Sequence, residues 1–245
     1  MILRLLVLAL ILCIPHSAWS AIAFVKVDDD GSCAGCTSTV KAYTGGNTAG
    51  NLLTACFVMD PAQTVASMTD TRSNTWTRAH RIIGGGGGTV EIWYAMNVSA
   101  GANTVTGNYS GSTSYAAMML HEYSGAAISS ALDVVAAQNQ TNPGVAADAV
   151  SSGANTTTVN GALIFGCTGE GGGAGILSAG TSFTLRSTVY GDSPSEDRIQ
   201  ATAGSVAATF TTDVSTSNHT TVMGTFKPFV AVTRHTGLLM RRSGD

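Results

Sequence analysis

The stretch Thr89-Val90-Glu91-Ile92-Trp93-Tyr94-Ala95-Met96 constrains this chain most. It follows five consecutive glycines, Gly84 to Gly88, and is answered downstream by Tyr115 to Tyr123. A strand turns successive side chains to opposite faces, so Val90, Ile92, Tyr94 and Met96 share one face and Glu91 and Trp93 the other. This is the pattern of a half-buried strand. Related patterns recur, punctuated by turn signals about every 8–12 residues, the spacing of an antiparallel β-sandwich of jelly-roll type. No run of ten or more residues keeps a helical period, and the Ala-rich parts are broken by Ser, Gly and Pro143.

Strands are expected at Phe24 to Val27, Thr37 to Tyr43, Asn51 to Met59, Thr64 to Met68, Thr75 to Ile83, Thr89 to Met96, Asn103 to Tyr109 and Tyr115 to Tyr123. Ala131 to Ala136, Ala162 to Cys167, Phe183 to Tyr190, Val206 to Thr211 and Thr220 to Phe226 follow. Gly169 to Gly175 and Gly191 to Asp197 read as loops. Residues 21–229 read as a single sandwich domain and 230–245 as a frayed tail.

The first twenty residues read as an export signal. Arg4 supplies the basic start, Leu5 to Ile14 an apolar run too short to span a bilayer, and Ala18-Trp19-Ser20 the small residues of a cleavage site. The mature chain is expected to be secreted or held at the cell surface, with no stable membrane insertion. Charged residues make up 11% of the chain, and loss of Arg4 takes the formal charge from −3 to −4. That balance offers no basic footprint for nucleic acid.

Four cysteines remain after the signal. Cys33-Ala34-Gly35-Cys36 reads as a local disulfide in an exported chain. Cys56 and Cys167 sit in apolar strands and fit either buried thiols or a bridge between them.

Several segments together resemble a repeated, uncharacterised β-sandwich module of bacterial exported proteins. They are Thr48-Ala49-Gly50-Asn51-Leu52-Leu53, Met68-Thr69-Asp70, Asn74-Thr75-Trp76-Thr77-Arg78, Val90 to Ala95, Ala100 to Thr106 and Glu122-Tyr123-Ser124-Gly125. Ser182 to Arg186, Glu196-Asp197 and Gly204 to Phe210 extend the likeness, which covers about residues 35–228. The resemblance implies a sandwich and an extracellular interaction role, and it implies no reaction.

The candidate sites are few. Trp93, with Glu91 beside it, is the expected aromatic platform for a polysaccharide or cell-surface glycan, and Trp76 the second. Calcium is weighed at Asp28 and Asp30, before Gly31, and at Asp70 and Asn74, because hard cations want clustered oxygens on tight turns. No other cofactor is expected. Glu91 and Glu122 would suit glycoside hydrolysis only if they converged on one groove. His80, His121, His219 and His235 have no metal spacing, and no Gly-x-Ser-x-Gly elbow marks a nucleophile. The reading is therefore a non-catalytic binding protein, with self-association as a structural subunit of a surface layer, appendage or virion fibre as the alternative.

Overall fold

The computed structural model describes residues 20–31, 33–84, 86, 88–171 and 175–231. The signal segment, apart from Ser20, and most of the C-terminal tail lie outside them. The strands of the first half are β1 (Ala23–Asp30), β2 (Cys36–Ala42), β3 (Leu52–Met59), β4 (Val65–Asp70), β5 (Thr77–Ile83), β6 (Thr89–Ala95), β7 (Thr104–Thr113) and β8 (Ala116–Ser124). The second half holds β9 (Leu132–Thr141), β10 (Val150–Ser151), β11 (Asn155–Thr156), β12 (Ala162–Gly171), β13 (Leu177–Ala179), β14 (Thr184–Val189), β15 (Ser193–Gln200), β16 (Ser205–Val206), β17 (Thr209–Thr212) and β18 (Asn218–Phe226). Every strand pairing is antiparallel. The all-β sandwich expected from the alternation is what forms.

The layers number four. A five-stranded front sheet, β1-β8-β3-β6-β5, faces a five-stranded rear sheet, β14-β15-β12-β18-β9, and each is backed by a three-stranded outer sheet, β2-β7-β4 or β10-β17-β13. The strand orders repeat. Reading β9, β18, β12, β15 and β14 for β1, β8, β3, β6 and β5 reproduces the front sheet, and β10-β17-β13 reproduces β2-β7-β4. The register repeats as well. Leu52 pairs with Tyr123 and Cys56 with Met119, while Leu163 pairs with Phe226 and Cys167 with Val222. Even the bulge recurs, between Arg78 and His80 on β5 and between Leu185 and Ser187 on β14. Such bulges are specified features of a fold. The chain is thus two copies of one eight-strand plan, packed through their larger sheets. Within each copy the strands alternate between sheets as in a jelly roll. The fifth strand departs from that order by pairing with the sixth instead of the fourth.

The apolar clusters follow from the layering. Leu52, Cys56, Ile92 and Met119 of the front sheet meet Leu163, Phe165, Val222 and Phe226 of the rear sheet. The other face of the front sheet packs Leu53, Phe57, Trp93 and Met118 against Val65, Met68, Val105 and Tyr109 of the outer sheet. Behind the rear sheet Ala162, Ile164 and Met223 pack with Val206 and Ala208, and Val150, Leu177 and Phe210 of the outer sheet form a small cluster of their own. The large sheets are therefore covered on both faces, which explains why β3, β6 and β8 are buried along nearly their whole length.

Three expectations change here. Gly169 to Gly171, read as the start of a loop, extend β12 and pair with Thr220 to Asn218 of β18, while residues 172–174 lie outside the described residues. Gly191 to Asp197, read as a loop from Pro194 and its acids, is mostly β15, paired with both β12 and β14. Pro194 is tolerated because the β12 ladder stops at Ser195, where the missing N–H is not needed. Asp28 and Asp30 belong to strand β1 and not to a loop.

The disulfides divide by span. Cys33–Cys36 closes three residues of sequence, with Cα atoms 5.5 Å apart, and Cys56–Cys167 joins the central strands of the two halves across 111, at 6.1 Å. Two such bridges fit an oxidising, extracellular-type compartment. Among the described residues no helix is long and apolar enough to cross a membrane. Restriction of the unfolded chain grows with loop length, so losing Cys56–Cys167 should cost about 4–5 kcal/mol and losing Cys33–Cys36 about 2 kcal/mol. Urea unfolding of Cys56→Ala/Cys167→Ala beside Cys33→Ala/Cys36→Ala measures the difference. Equal losses would show that the long bridge adds nothing to the packing between halves.

Candidate functional site

Buried carboxylates join the front sheet to its outer layer, and these are residues the sequence singles out. Glu91 Oε1 accepts from the Val65 amide at 2.8 Å and from Arg81 Nε at 2.7 Å, and Oε2 accepts from Trp93 Nε1 at 2.8 Å. Trp93 is only 8% exposed and lies under the Arg78 guanidinium, 5.7 Å from its ring. The outer sheet covers the face on which Trp93 was expected to meet a ligand. It is therefore a core residue and no platform.

Glu122 is saturated in the same way. It accepts from Asn47 Nδ2, the Thr48 amide and Asn51 Nδ2 at 2.7–2.9 Å, and Lys26 Nζ lies 3.3 Å away. These donors hold its carboxyl below the usual range against the opposing effect of burial. Glu91 pairs with Phe57 and Glu122 with Leu53, on opposite sides of β3. Strand spacing then puts the two roughly 16 Å apart, so they cannot flank one glycosidic bond.

The calcium candidates are also occupied by donors. Asp70 accepts from the Arg72 and Asn74 amides, Asn74 Nδ2, Trp76 Nε1 and Asn103 Nδ2, all at 2.8–3.2 Å. Asn74 Oδ1 takes the Ser99 amide at 2.9 Å. N–H groups aimed at a carboxylate organise a loop, so Asp70 and Asn74 make a turn, and Trp76 is tied into it half-buried. Asp28 accepts the Thr44 amide at 3.0 Å and its hydroxyl at 2.6 Å. Asp30 sits on the same strand. Among the described residues no three His, Cys, Asp or Glu side chains are grouped to hold a metal ion.

One open groove lies where segments from both halves converge. A groove of about 630 Å³ is lined by Cys33, Ala34, Pro61, Ser114 and Tyr115 from the first half and by Glu170, Gly171, Tyr190, Asp192 and Ser193 from the second, with Gly86 between. Its volume lies in the ordinary range of ligand pockets. Tyr190 is 56% exposed and has φ of 57°, a left-handed backbone that bulky residues rarely adopt. A Cβ on Gly31 would collide with Val189 and meet the Tyr190 ring at 3.0 Å. The ring rests on that glycine.

Glu170 is the other unusual member. It is 7% exposed, and among the described residues neither carboxylate oxygen has a donor in good hydrogen-bond geometry, with Gly175 packed against the carboxylate. Ser217 stands nearby, but its hydroxyl donates to the Val214 carbonyl at 3.2 Å and lies 2.9 Å from His219 Nε2. The Glu170 amide donates to the Asp192 carbonyl at 3.2 Å, and Glu170 pairs with His219 on β18. Asp192, in the turn before β15, Glu170 on β12 and His219 on β18 thus form a row. Burial first, and then the Asp192 and Asp213 carboxylates, raise the Glu170 carboxyl above its ordinary range, against the smaller lowering effect of the nearby Ser217 hydroxyl and Gly175 amide. Asp192 is raised by burial too. His219 Nδ1, Asn218 Oδ1 and Thr220 Oγ1 are likewise unpaired. Buried polar atoms are seldom left unsatisfied, and their gathering at this end marks a place for water or a ligand.

The sequence gives little warning of this groove. Glu170 lies in a glycine-rich stretch, Asp192 in a segment read as a loop, and Tyr115 and Tyr190 are two among several tyrosines. Comparison with protein families, with curated protein sequences and with solved structures found no match.

Two predictions follow from the buried network. Glu91→Ala leaves Arg81, Trp93 and the Val65 amide without an acceptor and should cost about 3–5 kcal/mol, and Trp93→Ala should cost a similar amount through the cavity it leaves. Denaturant unfolding measures both. A loss under 1 kcal/mol would contradict the core placement.

The second prediction concerns pH. Burial, with Arg186 adding to it, holds His121 down to about 3, and burial holds His219 down to about 4. Both lie below the unfolded value of about 6.5, so their contribution is present above that pH and is lost as pH falls through 4 and then 3. Burial raises Glu196 to about 8. Its contribution is full below the unfolded value near 4.5 and is lost as pH rises through 8. The melting temperature should therefore fall on both sides of a mid-pH maximum, and His121→Gln should flatten the acid limb. An unchanged acid limb would refute the assignment to His121.

Proposed function

We propose that this protein is a non-catalytic binding module of the cell exterior that takes a carbohydrate in the groove between its two halves. The observation carrying this reading is that one open groove is lined both by the exposed Tyr190 ring and by Glu170, a buried carboxylate with no donor in good hydrogen-bond geometry among the described residues. Sugars lay apolar C–H faces on aromatic rings and offer hydroxyl donors to buried acceptors. Tyr190 and half-buried Tyr115 provide rings, while Glu170 and Asp192 provide acceptors. The two disulfides support an oxidising compartment, and the module that the sequence resembles supports an interaction role. A non-catalytic role is supported by the way the other acids are used: Glu91, Glu122 and Asp70 are filled with structural donors.

The test is retention of residues 21–245 on a panel of immobilised polysaccharides. Tyr190→Ala should weaken retention about tenfold, the scale of one lost aromatic contact, with its melting temperature unchanged. Retention that survives Tyr190→Ala would move the site elsewhere, and no retention on any glycan would reject the reading.

A further inference from the structure

We infer that the groove selects a glycan carrying free amines, such as a polymer of unacetylated amino sugar, over neutral or acidic ones. The inference rests on the proposed carbohydrate site and names its ligand class.

The charge around the groove carries the argument. None of its lining residues is Lys or Arg. Glu170 and Asp192 line it, and Asp60 approaches its rim, accepting from the Thr113 hydroxyl at 3.0 Å and from the amide of Ser114, a lining residue. Asp30 and Asp192 act on Tyr190, Asp60 and Asp192 on Tyr115, and Asp213 and Asp192 on Glu170, each as a like-charge neighbour. Every carboxylate elsewhere that is equally buried on the front sheet has donors: Glu91 has three and Glu122 three with Lys26 beside it. Glu170 stands apart: among the described residues neither of its oxygens has a donor in good hydrogen-bond geometry, and the weaker approach of the Ser217 hydroxyl and Gly175 amide does not offset its burial.

Like charges placed opposite each other across strands destabilise a sheet, and a buried carboxylate without a partner costs more still. A ligand ammonium would relieve both. It would place N–H donors on Glu170, neutralise the Glu170 and Asp192 row, and sit against the faces of Tyr115 and Tyr190, where ring quadrupoles attract cations. An acidic glycan would meet only like charge. A neutral one would supply hydroxyl donors without the charge.

The test compares a hexamer of glucosamine, the N-acetylated hexamer, a galacturonate oligomer and hexalysine by titration calorimetry on the mature chain. Wild type should bind the glucosamine hexamer at least ~10-fold more tightly than the acetylated one, the scale of one charge-assisted hydrogen bond. It should not bind the galacturonate oligomer. In Glu170→Gln/Asp192→Asn, whose melting temperature should equal or exceed that of wild type, the ratio of amine to acetylated affinity should collapse toward one. Equal affinities for the two hexamers in wild type, or a ratio unchanged in the variant, would overturn the amine selection and leave the carbohydrate reading standing. Hexalysine binding as tight as the glucosamine hexamer would overturn the sugar class. No glycan binding at all would overturn both readings.

Discussion

Covering the two large sheets on both faces is the constraint on which the rest of this structure depends. Each five-stranded sheet is pressed on one side by its twin and on the other by a three-stranded layer. Any polar side chain on such a sheet must find its partners inside the protein. Glu91 and Glu122 do so by holding the backbone and side chains of the outer layer and its connections. Glu196 does the same in the second half, accepting from the Gly180 and Thr209 amides at 2.9 and 3.1 Å. The acids that look functional in a one-layer reading are the pins of a four-layer one.

The junction between the halves has two characters. Around Cys56 and Cys167 it is apolar and bridged. Toward β1 and β14 it is polar. His121 Nε2 lies 2.8 Å from Ser195 Oγ, the Tyr123 hydroxyl donates to Asp197 at 2.7 Å, and Arg186 donates twice to the same carboxylate while its guanidinium sits 3.9 Å over the Phe24 ring. Buried polar contacts of this kind fix one arrangement of two sheets that could otherwise slide. The mutual position of the halves is thereby set, and the groove at their loop end is set with it. A site formed by loops on a rigid double scaffold is a common way to hold a ligand surface.

The alternation of Thr89 to Met96 revealed a strand and its two faces correctly. What it could not reveal was a third layer over the Glu91 and Trp93 face, because a polar residue on a strand looks the same whether water or an amide satisfies it. The same limit applies to Asp70 and Asn74, whose oxygens could serve a cation or a turn. The duplication was in principle legible. Leu52 and Cys56 answer Leu163 and Cys167 at the same spacing, and Ser112-Thr113-Ser114 answers Ser215-Thr216-Ser217 at the start of β8 and β18. So few positions agree that the repeat emerges only with the paired registers and bulges. Ser193 to Gln200 hid for a different reason: Pro194 and three nearby acids argue for a loop until the acids are given buried partners. The groove was the least legible feature, since its residues come from strand ends and connections widely separated in sequence.

The most direct test of this account maps where a ligand touches. Amide and aromatic resonances of the isotope-labelled mature chain, followed during titration with the glucosamine hexamer, should shift at Tyr115, Glu170, Tyr190 and Asp192 and stay fixed at Trp93 and Asp70. Shifts centred on Trp76, Trp93 or the outer β2-β7-β4 sheet, with the groove silent, would contradict it.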